Sequence, residues 1–230
     1  KITLIKNPKN LYLTRAINQG LKVIHGRFFL ILNSDTELHF QTLGKMLSLL
    51  QKTLQIGLAT CAHQTSSKKL DLICSKFPSP AIEFFESTIL GRLLKVKFVQ
   101  KLLDQYRYRS WNRQSSRPVD ALPGSFMIGP KSLVDKIGNF DERFILFYQD
   151  IDYCHRVKLA GYQVFYNSDT KISHLKARSV SLLNPKLRSS IALHDILAYH
   201  RKYSGFFAWL FLWLASRVDW LYWWLKTHEN

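Results

Sequence analysis

Short apolar runs alternate along the chain with longer stretches whose apolar residues recur at helical spacing. The opening Lys1-Ile-Thr-Leu-Ile-Lys reads as a short strand, and Leu11 to Val23 predicts a helix stopped by His25-Gly26. Arg27 to Leu32 predicts a strand whose Phe-Phe-Leu-Ile-Leu run is apolar on both faces, as in a mostly parallel sheet covered by helices. It ends at Asn33-Ser34-Asp35-Thr36; a helix over Leu38 to Leu54 and a strand over Ile56 to Cys61 follow. From Ser75 to about Arg117 the pattern degrades into an apolar and basic excursion, helical around Glu83 to Gln105 and mobile beyond. Order returns with a strand-like run over Val119 to Gly129, broken at Pro123-Gly124, and a short helix over Lys131 to Ile137 ending at Gly138. A helix over Asp150 to Ala160 stops at Gly161, and Tyr162 to Tyr166, the turn Asn167-Ser168-Asp169 and Lys171 to His174 read as strand, turn and strand.

The tail from Phe206 to Leu225 holds five of the six tryptophans, with Arg217 and Asp219 interrupting it. A spanning helix needs about 20 mostly apolar residues, and one central charge costs roughly 2.5 to 3.5 kcal/mol. The expectation is a helix lying in the membrane interface; docking on the protein's own core and a dimer contact are the alternatives. The chain thus divides into an α/β domain, residues 1–203, and a C-terminal apolar membrane-associating helix, residues 204–230.

Composition narrows the partners. In 230 residues, 33 Lys and Arg face 16 acidic residues, a formal charge of +17 that attracts nucleic acid, anionic lipid or phosphorylated substrates. No zinc finger, basic zipper or aromatic RNA-binding strand motif supports nucleic acid. Cys61, Cys74 and Cys154 are odd in number and lack CxxC spacing, which argues against a disulfide framework or zinc site and fits a reducing compartment. The amino terminus carries no signal peptide and starts in mid-pattern without methionine. A fragment or truncated frame is expected; an expression boundary or a processing event would look the same.

Three places carry candidate chemistry. Asp35 follows a strand's carboxyl end, where ligands of open α/β sheets bind, and with Asn33 two residues away it offers oxygens to a hard cation. The same residues serve equally as a cap for the helix at Leu38. Asp150, at a helix mouth, is either a free carboxylate or a cap, while Asp152 and Arg156 read as an ordinary surface pair. His174, closing Ile172-Ser173-His174-Leu175-Lys176, is either a hydrogen-bonded structural residue or a ligand completing a carboxylate site. The other histidines lie in no comparable arrangement.

Taken in order, these segments resemble the family 2 inverting glycosyltransferases, especially bacterial rhamnosyltransferase-like members. Asn10-Leu-Tyr-Leu-Thr-Arg-Ala-Ile-Asn18-Gln-Gly20 is similar to the family's Asn-x-Gly-Phe…Asn-x-Gly segment, and Leu32-Asn-Ser-Asp-Thr36 to its Leu-Asn-Pro-Asp-Thr metal motif. Val119 to Met127 resembles the acceptor-side strand. Gly138-Asn-Phe-Asp-Glu-Arg-Phe144 and Tyr148-Gln-Asp-Ile-Asp-Tyr-Cys-His-Arg156 resemble the Gly-Gly-Phe-Asp-Glu-x-Phe and Glu-Asp-x-Asp-x-x-x-Arg pair, and His174 the histidine of the Ile-x-His segment.

The resemblance implies a GT-A fold, a Rossmann-like mixed sheet flanked by helices, and a nucleotide-diphosphate sugar such as dTDP-rhamnose as donor. It implies a lipid-linked or glycan acceptor at the cytoplasmic face of the membrane, with no nucleic acid. By the same likeness Asp35 and His174 would hold a divalent cation, Mg²⁺ or Mn²⁺, and Asp150 would be the general base. Asn18, Asn33, Gly124, Asp141, Glu142 and Asp152 would face substrate, the alternative for Asp141 and Glu142 being to cap the turn after Gly138. Gln149 stands where the family has Glu, and Tyr12 where it has Gly. The strand–helix–strand that opens family members does not precede Lys1, which implies impaired donor binding. The competing expectation is a catalytically impaired remnant.

Overall fold

The computed structural model describes residues 2–94, 96–174 and 182–228. In chain order the elements are α1 (Tyr12–Val23), β1 (Phe28–Leu32), β2 (Thr36–Leu38), α2 (Thr42–Lys52), β3 (Ile56–Gln64), α3 (Pro80–Ser87), α4 (Ile89–Leu93) and α5 (Lys97–Tyr106). There follow β4 (Arg117–Val119), β5 (Phe126–Pro130), α6 (Lys131–Ile137), α7 (Gln149–Leu159), β6 (Gln163–His174), α8 (Pro185–Tyr203) and α9 (Gly205–His228). The strands form one sheet ordered β1-β5-β3-β6-β2, with β4 also paired to β6.

Strand β3 runs through the middle and is buried on both faces from Ile56 to His63. Its alternating side chains feed two cores. Leu58 and Ala62 join Leu21 of α1, Leu133 of α6, and Tyr153, Cys154 and Val157 of α7. Ala59 and Cys61 join Met46 and Leu50 of α2, Phe126 and Ile128 of β5, and Ile172 of β6. The sheet is thus mixed and covered by helices on both faces, each fully buried Leu or Ile contributing about 1.5–3 kcal/mol.

Several expectations need correction. The sheet is not mostly parallel: among the described residues only β3 and β6 run parallel, the other pairs being antiparallel. Residues 2–6 form no strand, because an extended segment becomes one only by pairing, and Ile2 and Leu4 stay exposed. The helix expected from Leu38 starts at Thr42, since Thr36–Leu38 pair with β6 and Gln41 takes a left-handed φ of 69° before the first turn. The expected turn at residues 167–169 lies inside one continuous strand, β6. There Cys61 pairs with Asn167 and Ala62 with Lys171, so residues 168–170 bulge out of the ladder. The stretch after Gln105 is packed rather than loose, with Trp111 and Arg113 buried. Gly138 and Gly161, the expected helix stops, do take left-handed φ values of 81° and 86°.

Helix α9 packs against α3 and α8: Phe211 lies 5.3 Å from Phe84, Leu212 is buried, and Asp219 accepts the Ile89 N–H at the start of α4. Among the described residues no helix is long and apolar enough to cross a membrane. Of the residues singled out from the sequence, Lys1, Leu175 and Lys176 lie outside the described ones.

Candidate active site

Strand pairing builds the first half of the site. Where β1 ends, the Asn33 N–H donates to the Ser125 carbonyl (3.1 Å) and the Thr36 N–H donates back to the Asn33 carbonyl (3.2 Å). This tight turn reverses the chain into β2, whose register sets Thr36 opposite His174 at the end of β6. Asp35 is thereby delivered to His174, Oδ1 to Nε2 at 3.3 Å, with both side chains only 15% exposed. The imidazole Nε2 is buried and has no hydrogen bond among the described residues. An oxygen and a nitrogen each about 2.1 Å from one cation, at right angles, stand about 3 Å apart, so the pair fits as two ligands of a divalent ion. Among the described residues no cluster of three or more His, Cys, Asp or Glu suits a metal, and further ligands would have to come from a bound diphosphate or water. The His63 ring, passed over in the sequence, is buried on β3 with its centre 5.7 Å from that of His174.

The second half is the start of α7. Asp150 Oδ2 accepts the Gly124 N–H (3.0 Å) and Oδ1 accepts the Ile151 N–H (2.9 Å). Burial raises its pKa above the ordinary carboxylate range, while these N–H donors pull the other way. The dipeptide Gly124-Ser125 joins the two halves: the Gly124 N–H holds Asp150, and the Ser125 carbonyl accepts from Asn33 and from Thr36 Oγ1 (3.4 Å). Two buried polar atoms beside this junction, Ser125 Oγ and Gln149 Oε1, have no partner among the described residues. A cleft of about 400 Å³ opens over Asp35, lined also by Asn10, Tyr12, Asn33 and Leu146. Tyr12, at the family's glycine position, takes a left-handed φ of 59°, a conformation glycine adopts freely.

Two residues that the resemblance sets against substrate are engaged as internal braces in the structure. Asn18 is buried; its amide exchanges hydrogen bonds with the Phe140 backbone (2.9 and 3.0 Å) and donates to Glu142 (3.0 Å). Asp152 forms the expected pair with Arg156, but in the interior rather than at the surface, since it is fully buried. Its Oδ2 accepts from Arg156 Nε (3.0 Å) and its Oδ1 from Lys202 Nζ (2.5 Å) and Tyr203 OH (2.7 Å), leaving no oxygen facing a cleft. Asp141 shares Lys202 and is gripped by Arg143; burial pushes its pKa up, but these hydrogen bonds outweigh that and hold it low. Glu142 pairs with Arg15 (3.4 Å) and lines a second cavity of about 280 Å³ with Tyr12 and Ile145.

The sequence reading missed Asp195, Tyr199, Lys202 and Tyr203, all touching the segment around Asp150. Their spacing of four, seven and eight residues puts them on one helical face, a signal present in the sequence. It also missed Glu83, whose buried carboxylate accepts the Tyr148 hydroxyl immediately before Gln149 and Asp150.

Comparison with known proteins bears on the family and the fold. Residues 1–189 match the family described as glycosyltransferase like family 2. The N-acetylglucosaminyl-diphospho-decaprenol L-rhamnosyltransferases of two Mycobacterium tuberculosis strains are each 35% identical over 65 residues, which is 28% of this chain and 21% of theirs. The match therefore spans about a fifth of those relatives. The solved structure of GalNAc-T7 with UDP, GalNAc and Mn²⁺ superposes with a TM-score of 0.52 at 10% identity, covering 76% of this chain and 32% of that one, a likeness of fold.

Proposed function

This chain belongs to the glycosyltransferase-like family 2, and from that premise we propose that it transfers a sugar, rhamnose or a similar hexose, from a nucleotide-diphosphate donor with inversion. The acceptor is a lipid-linked or polysaccharide chain in cell-surface glycan synthesis. The Gly124-Ser125 bridge is the observation that supports this reading most, because it ties Asp150 and the Asp35–His174 pair to one end of the sheet.

In this reading Asp150 takes the proton of the acceptor hydroxyl as its oxygen attacks the anomeric carbon, and the bond to the diphosphate breaks on the opposite face. Its raised pKa makes it a stronger base than an exposed carboxylate, and the Gly124 and Ile151 N–H groups fix its orientation. Asp35 and His174 are the residues to hold Mg²⁺ or Mn²⁺, which when bound supplies Lewis-acid stabilisation to the diphosphate. The UDP and Mn²⁺ in the GalNAc-T7 complex support that choice. Asn33 and Glu142 line the two clefts and are read as donor- and acceptor-side contacts.

The work site is the cytoplasmic membrane face, peripherally, against anionic lipid rather than nucleic acid. Phe207, Leu214 and Val218 of α9 are exposed, as are Leu90, Leu93 and Phe98 around α4 and α5. Asp219 of α9, accepting the Ile89 N–H at the start of α4, ties the two helices together, and Arg92 and Lys97 stand among the residues of α4 and α5.

The test is transfer from a panel of nucleotide sugars, dTDP-rhamnose first, with Mn²⁺ and a polyprenyl-diphosphate-linked sugar. The expected result is transfer that falls about 10²- to 10⁴-fold in Asp150→Asn with donor binding retained, while Asp35→Asn and His174→Ala lose Mn²⁺-dependent donor binding. The wild-type rate should fall on acidification through a pKa above the usual carboxylate value, since the ionised form is the base. The absence of both transfer and donor hydrolysis by the folded protein would sink the reading.

A further inference from the structure

The family match stops at residue 189, within α8, yet the remainder of that helix grips the segment that carries Asp150. Asp195 is fully buried. Its carboxylate accepts the backbone N–H groups of three consecutive residues: Ile145 (3.0 Å to Oδ1, 3.1 Å to Oδ2), Leu146 (3.0 Å) and Phe147 (2.8 Å). His194 Nδ1 lies 2.9 Å from the same Oδ1. Successive N–H groups converging on one point form an anion-binding concavity, and here a side chain of the protein itself fills it.

What this carboxylate holds is not an ordinary loop. Leu146 is a wall of the cleft over Asp35. The Ile145 carbonyl accepts from Thr14, N–H at 3.5 Å and Oγ1 at 3.3 Å, at the start of α1 beside the same cleft. Tyr148 follows with a left-handed φ of 62°, its hydroxyl on Glu83, and Asp150 comes two residues later. Farther along α8, the Tyr199 hydroxyl lies 3.1 Å from His155 Nδ1, and Lys202 and Tyr203 close on Asp152, so the helix holds α7 over about one turn.

We propose that Asp195 is a positioning residue for the transfer reaction, a buried carboxylate that fixes residues 145–147 so that the Leu146 wall and Asp150 stand in place against Asp35 and His174. The proposal rests on the reading of Asp150 as the base. A three-point anchor of this kind sets the geometry of the reacting groups while touching neither donor nor acceptor. A misplacement of about 1 Å at such a distance from the chemistry costs on the order of 100-fold in rate.

Asp195→Asn tests it, because the amide keeps the volume and removes the charge and one acceptor. The expected result is faster amide exchange at Ile145, Leu146 and Phe147 with unchanged protection in β3 and β5. Alongside it, kcat for transfer from dTDP-rhamnose falls about 10- to 100-fold, while affinity for dTDP with Mn²⁺, read by calorimetry, stays within about twofold. Unchanged kcat, or kcat and nucleotide affinity falling together, overturns the proposal. Should the variant fail to fold, exchange in the wild-type chain decides. The three amides must be protected like the core strands, and fast exchange there overturns the anchor. If the wild type transfers no sugar, the glycosyltransfer reading fails, whereas exchange at the three amides judges the anchor without any substrate.

Discussion

Asp150 and Asp152 stand two residues apart at one helix start and end in opposite situations. Asp152 is enclosed by Arg156, Lys202 and Tyr203, so its charge is fully compensated and serves cohesion. Among the described residues Asp150 has only N–H partners, and burial raises its pKa, a combination that suits the proposed general base. A buried imidazole gives a second residue-scale consequence. His200 is fully buried, and burial lowers its pKa from 6.5 to about 4. Between those values the unfolded chain binds more protons than the folded one, so this residue's contribution to stability is lost as pH falls, by about 3 kcal/mol over the interval. His155, also lowered by burial, acts in the same sense, and the raised carboxyls of Asp150 and Glu83 act in the opposite one. Comparing His200→Leu with wild type therefore isolates the effect. Urea midpoints at pH 7 and pH 5 should show a smaller acid-side loss in the variant; equal losses refute it.

At the scale of elements, the two corrections nearest the site have one cause. The Thr36–Leu38 triplet is too short to show a strand period and became one only because the end of β6 was there to pair with it. Residues 167–169 carry turn residues, as expected, but the flanking pairs with β3 continue past them, so a turn signal became a bulge. The excursion after Ser75 depends on Arg113, fully buried, whose guanidinium donates to the carbonyls of Ile73, Cys74, Arg107, Tyr108 and Trp111. A lysine at this position has three donors on one nitrogen and cannot span five carbonyls. Arg113→Ala should destabilise the chain by about 3 kcal/mol or more, because it strands those carbonyls, and Arg113→Lys should recover only part of that. Chemical denaturation checks both, and a loss under about 0.5 kcal/mol counts against this role.

For the whole molecule, the charge of +17 and the exposed apolar residues of α4, α5 and α9 act together if the proposed membrane contact holds. Each Lys or Arg near an anionic surface contributes about 1 kcal/mol. Arg92→Glu with Lys97→Glu should therefore weaken binding to phosphatidylglycerol vesicles about tenfold or more, and salt should weaken the wild type likewise. Equal sedimentation with zwitterionic vesicles, or no sedimentation with either, would refute the contact.

Local pattern was enough to reveal that an α/β sheet exists, where α1, α6 and α7 start and stop, and the order Asn33-Ser34-Asp35, Asp150 and His174 that resembles the family. These features are set by side-chain periodicity and turn chemistry within a few residues of one another. Whether a given carboxylate is free or enclosed depended on segments far away. Asp152 meets Lys202 across 50 residues, Asp195 reaches Ile145 across the same separation, and Asp35 meets His174 only through strand register. Burial and hydrogen-bond partners are properties of the packed chain, so the tertiary structure alone separated Asp150, the proposed base, from Asp152, a brace. It alone revealed the helix that packs against the segment carrying both.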